Sequence, residues 1–291
     1  MAALFFDSNC ELFWTKAREL DLTNVIPMPY TICSTEYFYD LGENYDPVWF
    51  FNLMRQGNIP ISSALNPDNY KTIFEPFFKA GEDILYISFS SKLSGTFAYL
   101  DLAIKELSAE YPGVRFTRYD SKGISMSAGL QVYAAAKVYN AGKSIDEIIE
   151  MLEELTPRVN SAIIVDDLAH LRRGGRLSGI EAFLGSLRRI KPIIRLMDDG
   201  TIAPRDKVMG LNKAITMVAN EIAASAKDID KYPIVVLDAD SPDEGDKLAN
   251  LIKEKLPKAE IWRQPVGPVI GTHCGPGTLG VCYVDGARPK A

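Results

Sequence analysis

The apolar positions in the first half of the chain alternate between two spacings. Short strand-like runs stand at ALFFD (3–7), DILYISFS (83–90) and VRFTRYDS (114–121), and stretches with the period of an amphipathic helix follow them. The expected helices cover 11–20, 46–57, Pro67 towards Gly81, 94–113 and 129–142. The second of these has Pro near its start and Gly at its end, as helix termini prefer. VIPMPYTIC (25–33) reads as an extended segment interrupted by proline. This βαβα alternation predicts a parallel sheet covered by helices on both faces.

Ser144 and Glu147 form a capping-box pattern at the head of SIDEIIEMLEEL, which stops near Pro157. A domain joint is expected there. Beyond it the pattern gives a strand at 161–167, short helices around an Arg-Gly-Gly-Arg turn, and a hairpin over 191–210 turning at Asp199-Gly200. A helix (211–226), a strand (233–240), a helix (243–255) and a strand (259–266) follow, and the glycine-rich stretch 267–284 reads as a loop. The expected fold class is therefore α/β with two domains. An α/β/α parallel-sheet domain spans 1–160 and an α+β domain spans 161–291.

Composition narrows the functional classes. The 291 residues are 47% hydrophobic and 24% charged, which is ordinary for a globular protein. A net charge of −6 argues against a nucleic-acid surface, because phosphate binding needs clustered Lys and Arg. One basic cluster stands out, Arg172-Arg173 with Arg176, Arg188 and Arg189. Cys10, Cys33, Cys274 and Cys282 form no CxxC pair, so neither a disulfide framework nor a zinc site is expected. Reduced thiols fit a cytoplasmic protein. The apolar N-terminal run is too short for a signal peptide, and no stretch approaches a membrane span, so no stable membrane anchoring is expected.

Three first-half strands run into Asp7-Ser8, Ser90-Ser91 and Asp120-Ser121. In a parallel sheet these positions share the carboxyl edge, where ligands bind. Helix capping accounts for each pair singly, since Ser and Asp are preferred N-caps. Ser94-Gly95-Thr96 opens a helix, offering a hydroxyl and unpaired N–H groups at the positive end of a dipole. That suits a carboxylate or phosphate, and Ser62-Ser63, ahead of another helix, offers further hydroxyls. There is no P-loop, GxGxxG or GxSxG elbow. His170 and His273 are the only histidines; His170 reads as an exposed helical residue, and Cys274 beside His273 as a small buried thiol in a tight turn. The turn at 172–176 reads equally as a cationic helix end or as a contact for phosphate or an acidic partner.

Taken in order, the Asp7-Ser8 strand end, SSKLSGT (90–96), YDS (119–121), LRRGGRLS (171–178), KPIIRLMDDGTI (191–202) and GPVIGTHCGPGTLGV (267–281) resemble the DegV family of bacterial fatty-acid-binding proteins. The resemblance covers essentially the whole chain. It implies an α/β/α domain and an α+β domain with one long-chain fatty acid, such as palmitate, in a tunnel between them. It also implies, for some members, a fatty-acid kinase subunit as partner, phosphorylating the presented carboxylate for phospholipid synthesis. Carried onto this chain, it places the carboxylate-binding groups at Ser62, Ser94, the Gly95 amide and His273. Ser63, Thr96, Asp7, Ser8, Asp120 and Thr278 are additional head-group candidates, and Arg172, Arg173 and Arg176 fall on the face offered to the kinase. The resemblance implies no catalytic residue, metal or cofactor, the fatty acid being the ligand. The competing reading is a hydrolase or acyltransferase using Ser94 or Cys274 with His273.

One motif departs from the family. Where members commonly read Thr-Ser-Gln-Pro-Ser, this chain has Ser62-Ser63-Ala64-Leu65-Asn66. The hydroxyl is kept, but the polar and rigid residues after it are lost, which bears on tail preference and on service to a kinase. The aromatics of 36–51 and 72–78 fit an apolar tunnel or an ordinary core. Burying each CH₂ contributes ~0.8 kcal/mol, so a sixteen-carbon tail contributes on the order of 12 kcal/mol before ordering costs. Tail burial then dominates affinity and the head-group hydroxyls set orientation.

Overall fold

A computed structural model describes residues 2–175 and 190–291. In chain order the elements are β1 (Ala3–Asp7), α1 (Trp14–Glu19), β2 (Val25–Ile26), β3 (Pro29–Ile32), β4 (Thr35–Phe38), α2 (Pro47–Arg55), β5 (Ile61–Ser62), α3 (Pro67–Lys79) and β6 (Ile84–Ser88). There follow α4 (Thr96–Glu110), β7 (Phe116–Asp120), α5 (Met126–Asn140), α6 (Ile145–Leu155), β8 (Val159–Ile164), α7 (Leu168–Gly174), β9 (Ile190–Leu196) and β10 (Ile202–Met209). The rest are α8 (Leu211–Ser225), β11 (Ile234–Asp238), α9 (Pro242–Lys255), β12 (Ile261–Pro265), α10 (Pro268–Cys274) and β13 (Leu279–Val284). The fold is mixed α/β, with a parallel sheet and, among the described residues, two further sheets.

The chain packs as two units, Met1–Asn44 with Ile61–Thr156, and Tyr45–Pro60 with Pro157–Ala291. The first holds a parallel sheet in the order β2-β1-β6-β7. Strand pleating sends alternate side chains to opposite faces. Accordingly Phe116 of β7 meets Phe74 and Phe78 of α3, and Arg118 lies over Phe97 of α4. Tyr119 points the other way, and its hydroxyl bonds Thr156, which in turn bonds Gln131 of α5. The helices α3 and α5 therefore lie on opposite faces of the sheet. A short antiparallel sheet, β4-β3-β5, completes the unit. Neither β4 nor β5 is anticipated by the sequence pattern, because they are only four and two residues long.

The second unit contains a six-stranded sheet in the order β10-β9-β8-β13-β11-β12. All pairs are antiparallel except β11-β12. The helices α8 and α9 bury Ala214, Ile215, Val218, Ile222, Leu248 and Ile252 against it. The hairpin expected over 191–210 is present as β9 and β10. The stretch 267–284, expected as a loop, is instead α10 followed by β13, an inner strand of the sheet. Residues 45–60 also differ from the expected grouping with 1–160, because α2 buries Phe50 and Phe51 against α10.

Candidate functional site

In the first unit, β1 connects to β2 on one side of the sheet while β6 connects to β7 on the other. Such 2-1-3-4 orders place a crevice at the carboxyl ends of the strands where the direction reverses, here between β1 and β6. Asp7-Ser8 leaves one of these strands, and Phe89 to Gly95 leaves the other. Asp120 ends the neighbouring β7.

Most of the polar residues at this edge are engaged internally. Asp7 is fully buried; its Oδ1 accepts the Asn9 N–H at 3.0 Å, and its Oδ2 accepts the Tyr86 hydroxyl at 2.9 Å and the Phe89 N–H at 3.2 Å. These bonds tie β1 to β6 and to the loop after it. Ser8 is also buried, and its Oγ accepts the Met28 N–H at 2.9 Å. Asp120 accepts from the Ser91 hydroxyl at 2.5 Å and from the Lys122 N–H at 2.8 Å. Buried Thr96 shares a 2.8 Å hydrogen bond with the Tyr70 hydroxyl of α3. Burial pushes the Tyr70 hydroxyl well above its usual pKa, so the pair is a neutral link between α3 and α4.

Burial pushes the Asp7 carboxyl from its ordinary 3.8 up to about 7, against hydrogen bonds from Phe89, Tyr86 and Asn9 that pull it down. The folded chain thus holds this proton more tightly than the unfolded chain. Its contribution to stability is fully present below 3.8 and is lost as pH rises through about 7. Denaturant titrations of the native chain and of Asp7→Asn will show the difference between them moving by about 2 to 3 kcal/mol against the native chain from pH 5 to pH 8. A pH-independent difference would contradict that assignment.

Ser94 and Gly95 differ from their neighbours at this edge. Ser94 is half-buried, and its Oγ accepts the Thr96 N–H at 3.2 Å, leaving its own proton to donate. Gly95 is exposed at the head of the fifteen-residue α4, and a Cβ built on it meets nothing within 4 Å. The N-cap residue, Gly95, has no side chain to cap the helix. Half-buried Ser62 stands on β5 opposite Tyr30, which stacks on Tyr37 with ring centroids 5.4 Å apart. The half-buried Ser63 donates its N–H to the Pro29 carbonyl at 3.2 Å. The divergent residues after them have structural work. Leu65 is buried, and Asn66 forms a reciprocal capping box with Asn69 that opens α3.

In the second unit, His273 is half-buried in the last turn of α10. Its ring lies against Gly174 of α7, where a Cβ would come within 2.3 Å of Nδ1. His170 is likewise half-buried rather than exposed, its ring set against Gly275, and burial lowers its pKa. Thr278 donates its buried hydroxyl to the Cys274 carbonyl at 2.9 Å, closing the end of α10. Cys274 is buried. Consecutive helical residues project about 100° apart, so His273 and Cys274 do not converge on one point, and the hydrolase alternative gains no support there. Arg172 and Arg173 are exposed at the end of α7, whereas Arg176, Arg188 and Arg189 lie outside the described residues.

The pattern along the chain did not reveal Tyr70 and Tyr86. Both appeared only as apolar positions within their elements, and their hydroxyl partners Thr96 and Asp7 lie 26 and 79 residues away. Among the described residues no group of three or more His, Cys, Asp or Glu is placed to hold a metal ion. Nor is any described helix long and apolar enough to cross a membrane.

Comparison with known proteins places this arrangement. The profile described as "Uncharacterised protein, DegV family" matches residues 1–286. The chain belongs to the DegV family. A DegV domain-containing protein of Clostridium perfringens is 34% identical over 285 residues, covering 98% of each chain. Among solved structures, the Bacillus subtilis DegV, a fatty acid binding protein, superposes with a TM-score of 0.81 at 29% identity, covering 98% of this chain and 99% of that one. A DegV family protein from Thermus thermophilus, solved for its fatty acid binding, superposes with a TM-score of 0.83 at 27% identity over 98% of this chain and 99% of its own. DegV relatives of this chain thus bind fatty acids.

Proposed function

We propose that the chain is a carrier that binds one long-chain fatty acid. The Ser62 and Ser94 hydroxyls and the Gly95 amide hold its carboxylate, and His273 is a polar neighbour of the head group. The observation that carries this reading is the likeness, over nearly the full length of each chain, to two DegV proteins of fatty-acid-binding character. The open start of α4 agrees with it. A helix of that length presents partial positive charge to an anion at its start, and Ser94 retains a hydroxyl proton to donate. Asp7, Ser8, Thr96 and Thr278 serve instead as buried braces around the elements that carry the ligand groups.

Denaturing extraction of the purified protein, followed by mass spectrometry, tests the reading. A long-chain fatty acid in amounts approaching one per chain is expected. Empty protein that also fails to take up a fatty acid would sink it.

The finer part of the proposal is that the carboxylate is handed to a separate ATP-using fatty-acid kinase, which engages Arg172, Arg173 and Arg176. Exposure of the first two supports this, because guanidinium forks suit phosphate and carboxylate partners. Replacing all three with Ala is expected to leave fatty-acid retention intact while a fatty-acid kinase no longer co-precipitates. Undiminished co-precipitation would remove these arginines from the partner face.

A further inference from the structure

Arg118 stands in the middle of β7, on the face of the parallel sheet that α3 and α4 cover. Its surroundings there are aromatic. Phe116 precedes it by two residues, Tyr86 lies beside it on β6, and its guanidinium carbon sits 4.5 Å from the centre of the Phe97 ring. The residue is half-buried, and its Nη1 is buried with no hydrogen-bond partner. Arg115, Arg158, Arg195 and Arg263 each pair with a carboxylate. Among the described residues Arg118 has no such partner. Asp120, two residues further along the same face, is taken instead by the Ser91 hydroxyl and the Lys122 N–H. The face of the Phe97 ring attracts the cation but leaves the Nη1 donors unused. A partly desolvated charge without a counter-ion is unfavourable, and an apolar side chain would suit this aromatic face better. Packing therefore does not account for an arginine here.

The charge lies under the head of α4. Phe97 is the second residue of that helix, and Thr96, the first, shares its hydroxyl hydrogen bond with Tyr70. Tyr70 in turn feels the guanidinium: burial raises the pKa of its hydroxyl, and the Arg118 charge pulls against that rise. Ser94 and Gly95 immediately precede Thr96 and Phe97, and Ser62 precedes α3, which carries Tyr70. All of these groups belong to the first unit. We infer that Arg118 is a specificity-determining residue, whose charge, held under the first turn of α4 by Phe97, selects an ionised carboxylate over an uncharged acyl head group. The inference rests on the fatty-acid-carrier reading and deepens it. Two hydroxyls and an amide discriminate weakly on their own, because they donate to an ester carbonyl as well as to a carboxylate. Arg118 adds an attraction that an ester cannot match. It acts through space, across a low-dielectric interior, without touching the ligand.

The test is equilibrium dialysis of delipidated full-length protein against labelled palmitate and, separately, labelled methyl palmitate. The native chain is compared with Arg118→Met, Arg118→Lys and Arg115→Met. Met keeps an apolar stem without the charge, Lys keeps the charge, and Arg115 is an exposed arginine paired with Asp146. Arg118→Met is expected to weaken palmitate binding about tenfold while methyl palmitate stays within about twofold of its native affinity. Arg118→Lys is expected to restore most of the palmitate affinity, and Arg115→Met to change neither ligand. Equal losses for both ligands in Arg118→Met would reduce Arg118 to a packing residue and overturn the inference. Palmitate affinity within twofold of native in Arg118→Met would also overturn it, and so would an equal loss in Arg118→Lys or Arg115→Met. Urea unfolding establishes that each variant folds; should Arg118→Met not fold, Arg118→Gln decides by the same two ligands. Native protein that binds neither ligand would instead overturn the carrier reading, so the two failures are distinguishable.

Discussion

Replacing both Ser62 and Ser94 with Ala is expected to weaken palmitate binding by about thirty- to a hundredfold. A hydrogen bond to a charged group contributes about 1.5 to 3 kcal/mol, and about 1.4 kcal/mol is a factor of ten, so two such bonds that are partly replaced by water give that range. Binding is not abolished, because burial of a sixteen-carbon tail contributes on the order of 12 kcal/mol before ordering costs. The head group therefore decides orientation and the last factor of affinity, and the tail decides whether the acid stays. Equilibrium dialysis of delipidated protein measures the effect. Ser94 also accepts the Thr96 N–H, so the single Ser94→Ala change carries a stability cost of about 0.5 to 1 kcal/mol, read separately by urea unfolding. An affinity within twofold of the native value in the double variant would remove these serines from the carboxylate site.

The largest effect on stability is expected at Phe74. Its ring is fully buried between Phe5 and Phe116, with centroids at 4.9 and 5.0 Å and both contacts edge to face, and it lies parallel to Tyr70. Phe74→Ala removes these contacts and leaves a cavity the rigid sheet cannot close, at a cost of about 3 to 5 kcal/mol. Against typical stabilities of about 5 to 15 kcal/mol, that is a large fraction. The same change loosens Tyr70, whose hydroxyl holds Thr96 at the head of α4. Urea unfolding is expected to show the loss of stability, and fatty-acid retention to fall with it. A loss below about 1 kcal/mol would mean that the aromatic cluster around α3 is not the core it is taken to be.

What the sequence made legible and what it hid follow from the range of the forces involved. The capping box of Ser144 and Glu147 lies within one helical turn, and both of its hydrogen bonds are present. The β9–β10 hairpin is equally local and turns at Asp199-Gly200, where Thr201 bonds the Asp199 carboxylate. By contrast, α10 holds one glycine and three β-branched residues among its seven, and no local preference makes it a helix. It forms because Phe50 and Phe51 fill the space a side chain at 271 would need, and Gly174 accepts the His273 ring in the same way. Those partners are roughly 100 to 220 residues away along the chain, beyond the reach of any periodicity. The same holds for the candidate ligand groups. The Ser-Gly-Thr at the head of α4 was visible as an anion-suited helix start. That Asp7, Ser8 and Thr96 would be spent on bracing was not, because Tyr86, Met28 and Tyr70 meet them only after the sheet has formed.

The claim at the centre of this account is that the chain binds a fatty acid. Its most direct test is uptake of radiolabelled palmitate by protein stripped of lipid, with bound label counted per chain and competition by unlabelled palmitate or by its methyl ester. Saturation near one palmitate per chain is predicted, with displacement by the acid and markedly weaker displacement by the ester, which lacks the carboxylate charge. Failure to bind palmitate saturably, in protein that unfolds cooperatively, would contradict the account.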